Sequence, residues 1–252
     1  MPLNQLIENR VLTIEISRPE KRNTLDAAAM DEFVSILAQA EADPGVRAVL
    51  VTGKPGIFCA GGDLSEQLAA PSASDDSAAG RFVAALEAFS KPLAACVEGP
   101  CVGLGTTLLY YCDIVYAGAS SLFSLPYTAL GLTPRFGVTS LAVSAAGLKK
   151  AAEKILLSEP INAQEALQMG IVSTVLDDDV VRAQALTRLQ RLAKLPPQAV
   201  ADTKRLLRAA ARGETFEAVR ALEAAAFEKA AASPEAREAC AAFLEGRKPN
   251  FD

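Results

Sequence analysis

With 252 residues, a hydrophobic content of 50% and a net charge of −5, the chain is long enough to bury a large core and too acidic to offer the basic face that releases counterions from nucleic acid. It contains no histidine, which excludes Ser-His-Asp and Cys-His catalysis, HExxH zinc sites and any imidazole acid or base. Any chemistry therefore falls to carboxylates, tyrosines, backbone amides or positioned cations.

The N-terminal stretch MPLNQLIENRVLTIEISRP enters an alternating strand pattern almost at once, so no signal peptide is expected. No apolar run approaches the roughly 18 residues that span a bilayer, and a cytoplasmic location without membrane association is expected. RVLTIEIS alternates with period two, LDAAAMDEFVSILAQAEAD places Met30, Phe33, Val34 and Leu37 at helical spacing, and VRAVLVTG is a short apolar run; together they predict a βαβ unit. PSASDDSAAG, residues 71–80, is small, polar and aperiodic and reads as a loop, either a lid over a site or plain surface, with a helix restarting at RFVAALEAFS. KPLAACVEG then predicts a strand, GPCVGLG a glycine turn, TTLLYYCD a helix, and IVYAG and SLFSLP further short strands. This strand, strand, helix rhythm suggests a spiral of repeated turns. From Leu148 onward the chain reads as mostly helical, with an Asn162 cap and a terminal Gly170 around INAQEALQMG, and a joint at KLPPQAV between amphipathic segments spread over 179–245. The five cysteines, Cys59, Cys96, Cys101, Cys112 and Cys240, stand singly in apolar surroundings with no CxxC pair, so they read as reduced hydrophobes, with no metal site expected.

Two stretches carry the chemistry. GIFCAGGDL (56–64) and EGPCVGLGTTLL (98–109) each lead from a strand through small residues into a helix start. Such a turn exposes backbone N–H groups and lets a ligand approach them. Each alone is also what a tight strand-to-helix connection needs; two meeting at one point would supply two donors to a single oxygen, an oxyanion hole.

The segments RPEKRNTLD, VLVTGKPGIFCAGGDL, KPLAACVEGPCVGLGTTLLYYCDIVYA, FSLPYTALGLTP, INAQEALQMGIVSTV and AAFLEGRKPNF resemble, in order and over nearly the whole chain, the crotonase superfamily of enoyl-CoA hydratases and isomerases. The resemblance implies an α/β fold with a ββα spiral core, here residues 1–195, that binds an acyl-CoA thioester, and a helical region, 196–252, that forms a homotrimer or a dimer of trimers. It implies oxyanion donors at the N–H groups of Gly62 and Leu104. It puts Ala60, Asp63 and Leu64 along the adenine and pantetheine, and Phe243 and Arg247 where the tail reaches the nucleotide. No cofactor beyond the coenzyme A of the substrate is implied.

The side chains depart from the family's pattern. Thr107 and Tyr127 stand where similar hydratases carry two glutamates, and Arg135 where similar isomerases carry one. Arg135 cannot act as a base near neutrality, but its planar fork grips a carboxylate or phosphate; the alternative is a structural or interface ion pair. Tyr127 is a proton donor or relay, or a pocket wall. Asp63, Glu66, Glu98 and Asp113 read first as helix-end or surface groups, and Gln67 as a residue that orients a water. Three functions stay open: an enzyme working through a thioester enolate, a CoA-thioester binder with little or no catalysis, and a dinucleotide binder through GPCVGLG. The last is disfavoured because the glycine spacing is not GxGxxG.

Overall fold

In the computed structural model, the described residues are 2–54, 56–64, 66, 76–211 and 213, together with 233, 234, 236, 238, 242, 245, 247 and 250. Strands β1 (Leu3–Glu8) and β2 (Val11–Ile16) form an antiparallel hairpin. Its two turn residues, Asn9 and Arg10, are left-handed with φ of 49° and 68°, the twist that two-residue hairpins require. Helix α1 (Ala27–Ala42) starts at Asp26, whose carboxylate accepts the Ala29 N–H, and it buries Met30, Phe33 and Leu37 as their spacing predicts. Strand β3 (Ala48–Gly53) follows, buried throughout and parallel to β2, completing the expected βαβ unit.

Helix α2 (Ala78–Ala88) packs on α1 through an edge-to-face contact of Phe33 and Phe82, ring centroids 5.1 Å apart. It begins earlier than the sequence reading placed it. The Ser77 hydroxyl accepts the Gly80 N–H and caps the helix, so Ala78–Gly80 are helical and the loop expected over 71–80 is corrected at its C-terminal end. Residues 71–75 lie outside the described residues.

Strands β4 (Leu93–Val97), β6 (Ile114–Gly118) and β7 (Leu122–Ser124) come next, as expected, but the turn read at GPCVGLG holds a further strand, β5 (Pro100–Val102), which becomes one by pairing with β7, and helix α3 (Leu104–Leu109) starts and ends earlier than TTLLYYCD suggested. Helices α4 (Val138–Ala146) and α5 (Leu148–Leu156) share Gly147, with φ of 77°, as their hinge. The next stretch is less helical than predicted: it holds β8 (Ile161–Asn162) and, after α6 (Ala163–Gln168), β9 (Thr174–Leu176). These strands are too short to show a period, and each is created by a distant partner. Strand β9 pairs with β6, Tyr116 opposite Thr174, and β8 pairs with β7.

The strands form one six-stranded sheet ordered β1-β2-β3-β4-β6-β9, parallel except for the hairpin, and a three-stranded sheet ordered β5-β7-β8. Phe33, Phe58, Phe82 and Phe123 are fully enclosed between these layers, each contributing about 1.5–3 kcal/mol by leaving water. The fold is the mixed α/β arrangement that the sequence implies. Helices α7 (Val181–Leu192) and α8 (Pro197–Ala211) follow, joined through the predicted KLPPQAV segment. Lys204 anchors α8 to the core by donating to the Lys91 carbonyl (2.6 Å) and pairing with Asp113 at 2.7 Å.

Candidate functional site

The site is built where the segment after β3 meets the turn from β5 into α3. Phe58 N–H donates to the Pro100 carbonyl at 3.0 Å, and Val102 N–H to the Cys59 carbonyl at 2.9 Å. Cys59 and Cys101 thus form a parallel bridge between chain segments remote in sequence. Gly61 has φ of +99°, and a Cβ on it would sit 3.0 Å from the Val102 carbonyl oxygen and 3.5 Å from the Leu104 nitrogen. A side chain would therefore drive the two turns apart, which explains the small residues in GIFCAGGDL. Gly105 is needed for the same approach, since its Cβ would lie 2.9 Å from that of Cys59.

Asn23 holds this loop from behind, a role the sequence reading missed. It is fully buried, and its Nδ2 donates to the carbonyls of Ile57 (2.8 Å) and Phe58 (3.4 Å), while Oδ1 accepts the Arg18 N–H at 2.8 Å. Its sequence context is polar and suggests only a turn. Next to it, Leu25 pairs with the glycine loop: Leu25 N–H donates to the Gly61 carbonyl (2.8 Å) and Asp63 N–H to the Leu25 carbonyl (3.2 Å). In a parallel ladder those bonds come from the residues flanking Gly62, so Gly62 turns its own N–H away from Leu25. Gly61 N–H is already engaged by the Cys59 sulfur at 3.3 Å.

Leu104 is the first residue of α3, and the first intrahelical bond runs from Thr107 N–H to the Gly103 carbonyl at 2.9 Å. Its N–H is one of the helix's orphan donors. Among the described residues, no backbone acceptor outside the regular elements takes the N–H of Gly62 or Leu104.

One turn into α3, the fully buried Thr107 hydroxyl lies 3.1 Å from the Tyr127 hydroxyl and donates to the Gly103 carbonyl at 3.1 Å. Where the family resemblance implies two carboxylates, the structure brings together a threonine and a tyrosine. Burial raises the Tyr127 phenol above its ordinary value, against the smaller opposing effects of the Thr107 hydrogen bond and the Arg135 charge. Arg135 is half-buried and stacks over the Phe136 ring at 4.7 Å. Burial also raises the Cys59 thiol, to about 12, so it is a packed, protonated hydrophobe.

The remaining predicted residues divide clearly. Ala60 N–H is bound to the Arg22 carbonyl at 3.1 Å; Asp63 accepts the Glu66 N–H at 3.4 Å; Leu64 is exposed beside them. Arg247 lies against Glu238 and Glu245, each at 2.5 Å, which pulls the Glu238 carboxyl down to about 2. Phe243 and Gln67 lie outside the described residues. Glu66 accepts the Ala27 N–H at the start of α1, Glu98 pairs with Arg182 at 2.6 Å, and Asp113 pairs with Lys204 and Arg208. These three acids are engaged structurally, as helix-end or surface groups are expected to be.

A cavity of about 640 Å³ lies elsewhere, under α8, lined by Tyr110, Cys112, Leu195, Thr203, Lys204 and Leu207 among others. Neither glycine turn contributes to its walls. Its size reflects an apolar surface, and the convergence of donors and hydroxyls at the turns marks the candidate site instead.

Comparison with known proteins settles the family. The sequence model described as enoyl-CoA hydratase/isomerase matches residues 6–252. The chain belongs to that family, within the crotonase superfamily. It is 34% identical over 245 residues to the 2,3-dehydroadipyl-CoA hydratase of Escherichia coli K12, covering 97% of this chain and 96% of the relative. It is 30% identical to the 1,2-epoxyphenylacetyl-CoA isomerase of the same organism, covering 97% and 96%. Among solved structures, an enoyl-CoA hydratase from Polaromonas sp. JS666 matches with a TM-score of 0.93 at 29% identity over 99% of both chains. The hydratase/isomerase family spans both reaction types, and among the described residues no helix is long and apolar enough to cross a membrane.

Proposed function

We propose that this family member is an enzyme that processes an acyl-CoA thioester through an enolate, with the Gly62 and Leu104 N–H groups as the oxyanion hole and Tyr127 as the proton donor. The observation that carries the proposal is the junction of the two turns, where Gly61 has room for hydrogen alone between the Val102 carbonyl and the Leu104 nitrogen. Each oxyanion donor is worth about 3–4 kcal/mol in the transition state. Tyr127 is the candidate acid because its hydroxyl stands beside Thr107 and, like any phenol, carries its proton near neutrality. The Thr107 hydroxyl, 3.1 Å away, orients it. Both named relatives, by their names, act on CoA thioesters. We assign Ala60, Asp63 and Leu64, continuous with the glycine turn, to the adenine and pantetheine part of the coenzyme.

A second reading, a CoA-thioester binder with little catalysis, is favoured by the hydroxyls and guanidinium at the three positions where the family's carboxylates are expected. Two measurements decide. Calorimetric titration should show acyl-CoA thioesters binding far more tightly than the free acids, and no heat with any thioester would overturn the coenzyme A assignment. Turnover of a 3-enoyl-CoA or crotonyl-CoA that is lost in Gly62→Pro, which deletes the donor, supports the enzyme; binding without turnover across such a panel supports the binder.

We infer a homotrimer or a dimer of trimers as the working assembly. Leu156, Leu157 and Leu207 are 67%, 63% and 67% exposed in the single chain, apolar surface that association would cover. A monomeric mass in light scattering would contradict this.

A further inference from the structure

We propose that Asn23 is a positioning residue of the oxyanion hole, setting the direction of the Gly62 N–H from behind the loop through a clamp formed by residues 22–25; the inference rests on the acyl-CoA reading above. A short helical turn at Pro19–Lys21 ends in two left-handed residues, Arg22 with φ of 51° and Asn23 with φ of 56°. They turn the chain back on itself, so that the Asn23 N–H donates to the Arg18 carbonyl at 2.8 Å. Asparagine tolerates this backbone better than most side-chain-bearing residues. Its buried amide has one workable orientation: the Arg18 N–H needs an acceptor, Oδ1, and the Ile57 and Phe58 carbonyls need a donor, Nδ2.

The main chain around Asn23 then grips the glycine loop. Ala60 N–H donates to the Arg22 carbonyl (3.1 Å), Leu25 N–H to the Gly61 carbonyl (2.8 Å) and Asp63 N–H to the Leu25 carbonyl (3.2 Å). The last two bonds flank Gly62 directly. All of them come from residues 22 and 25, and the Asn23 side chain ties that segment to the start of the loop at Ile57 and Phe58. The start of the loop is packed closely elsewhere: a Cβ on Gly53 would lie 2.4 Å from the Ile57 carbonyl oxygen, and one on Gly99 2.4 Å from that of Gly56. Slack introduced at Asn23 is therefore passed to the clamp, and through it to Gly62. An oxyanion donor acts only when it is aimed at the oxygen where charge develops, and a misplacement of about 1 Å can cost about a hundredfold in rate.

The test reads the oxyanion hole itself, as the infrared stretch of the isotope-labelled thioester carbonyl in bound butyryl-CoA, a saturated ligand with no double bond to hydrate or shift. In the unaltered protein the stretch should fall on binding, because the donors polarise the carbonyl. Asn23→Asp keeps the shape, the Oδ1 acceptor and a residue suited to the left-handed backbone, but loses the Nδ2 donor; Asn23→Gly suits the backbone and deletes the side chain. In both, the downshift should shrink by about half or more and enoyl-CoA turnover should fall about tenfold to a hundredfold. Affinity for butyryl-CoA, spread over the whole coenzyme, should change by less than about threefold. Asn162→Ala, which weakens a helix cap outside the clamp, should leave the downshift as it is; equal shrinkage there would assign the effect to general loosening and overturn the proposal. A downshift undiminished in either Asn23 variant also overturns it and leaves the acyl-CoA reading intact. Amide exchange in the unaltered protein decides the matter however the variants fold: N–H groups of Leu25, Ala60 and Asp63 that exchange as slowly as those of β3 and β4 support the clamp, and exchange well ahead of those strands, by local opening, overturns it. Binding without any downshift in the unaltered protein overturns the oxyanion hole and this inference together, and failure of butyryl-CoA to bind overturns the coenzyme A reading as well.

Discussion

Gly61→Ala, read against Gly56→Ala, measures how much depends on the close approach of the two glycine turns. The pair is matched in backbone: φ is +99° at Gly61 and +96° at Gly56. Each substitution therefore forces an L-residue into a left-handed backbone, at about 1–2 kcal/mol. The surroundings differ. A Cβ at Gly56 meets nothing within 4 Å, whereas at Gly61 it meets the Val102 carbonyl oxygen at 3.0 Å and the Leu104 nitrogen at 3.5 Å. The Val102 carbonyl is backbone, so relief comes from separating the turns by a few tenths of an ångström, adding about 1–2 kcal/mol of overpacking. In a chain of this size each kcal/mol moves the melting temperature by about 2–4 °C. Calorimetric melting should accordingly place Gly56→Ala about 2–8 °C below the parent and Gly61→Ala roughly twice as far. Acyl-CoA turnover should fall at least about tenfold in Gly61→Ala, because the N–H groups of Gly62 and Leu104 move out of register with one oxygen, and should stay within about twofold in Gly56→Ala. Equal melting temperatures and equal turnover in the two variants would refute the argument that the collision at Val102 sets the geometry.

Tyr127→Phe removes the phenol but leaves Thr107 bonded to the Gly103 carbonyl; stability should drop by about 1 kcal/mol or less while turnover drops about a hundredfold or more, a split visible by pairing urea unfolding with a thioester assay. Asn162→Ala deletes one half of the capping box that starts α6 and should cost about 1 kcal/mol in urea unfolding. The Glu165 carboxyl is held below its ordinary value first by the Asn162 N–H and then by Lys154. Because its folded value is the lower one, its contribution is present above the unfolded value of about 4.3 and is lost as pH falls through the folded value. Glu165→Gln should flatten that acidic part of the stability curve and leave its slope near neutrality unchanged, as melting temperature against pH will record.

Much of the fold was legible because its signals are local. Strand β2 alternates, α1 shows a buried stripe at helical spacing, and Asn162 caps a helix start; period, caps and turn chemistry lie within a few residues of one another. The early start of α2 was hidden because Ser77–Gly80 continue the small, polar composition of the preceding stretch, and only the Ser77 cap separates them. Strand β9 was hidden because three half-buried residues carry no period and become a strand only by lying against β6.

The candidate site divides along the same line. The sequence by itself determined that two stretches are built of small residues and that no histidine is present, and it offered Thr107, Tyr127 and Arg135 as candidates. Only the tertiary structure decided that Gly61 abuts Leu104, that Thr107 and Tyr127 share a hydrogen bond across 20 residues, and that Asn23 braces the loop 34 residues ahead. It also assigned Glu98 to Arg182 and Asp113 to Lys204, taking both acids out of the catalytic inventory. These are contacts between residues far apart in the chain, fixed by which strands pair and which core side chains interlock, and no local propensity encodes them.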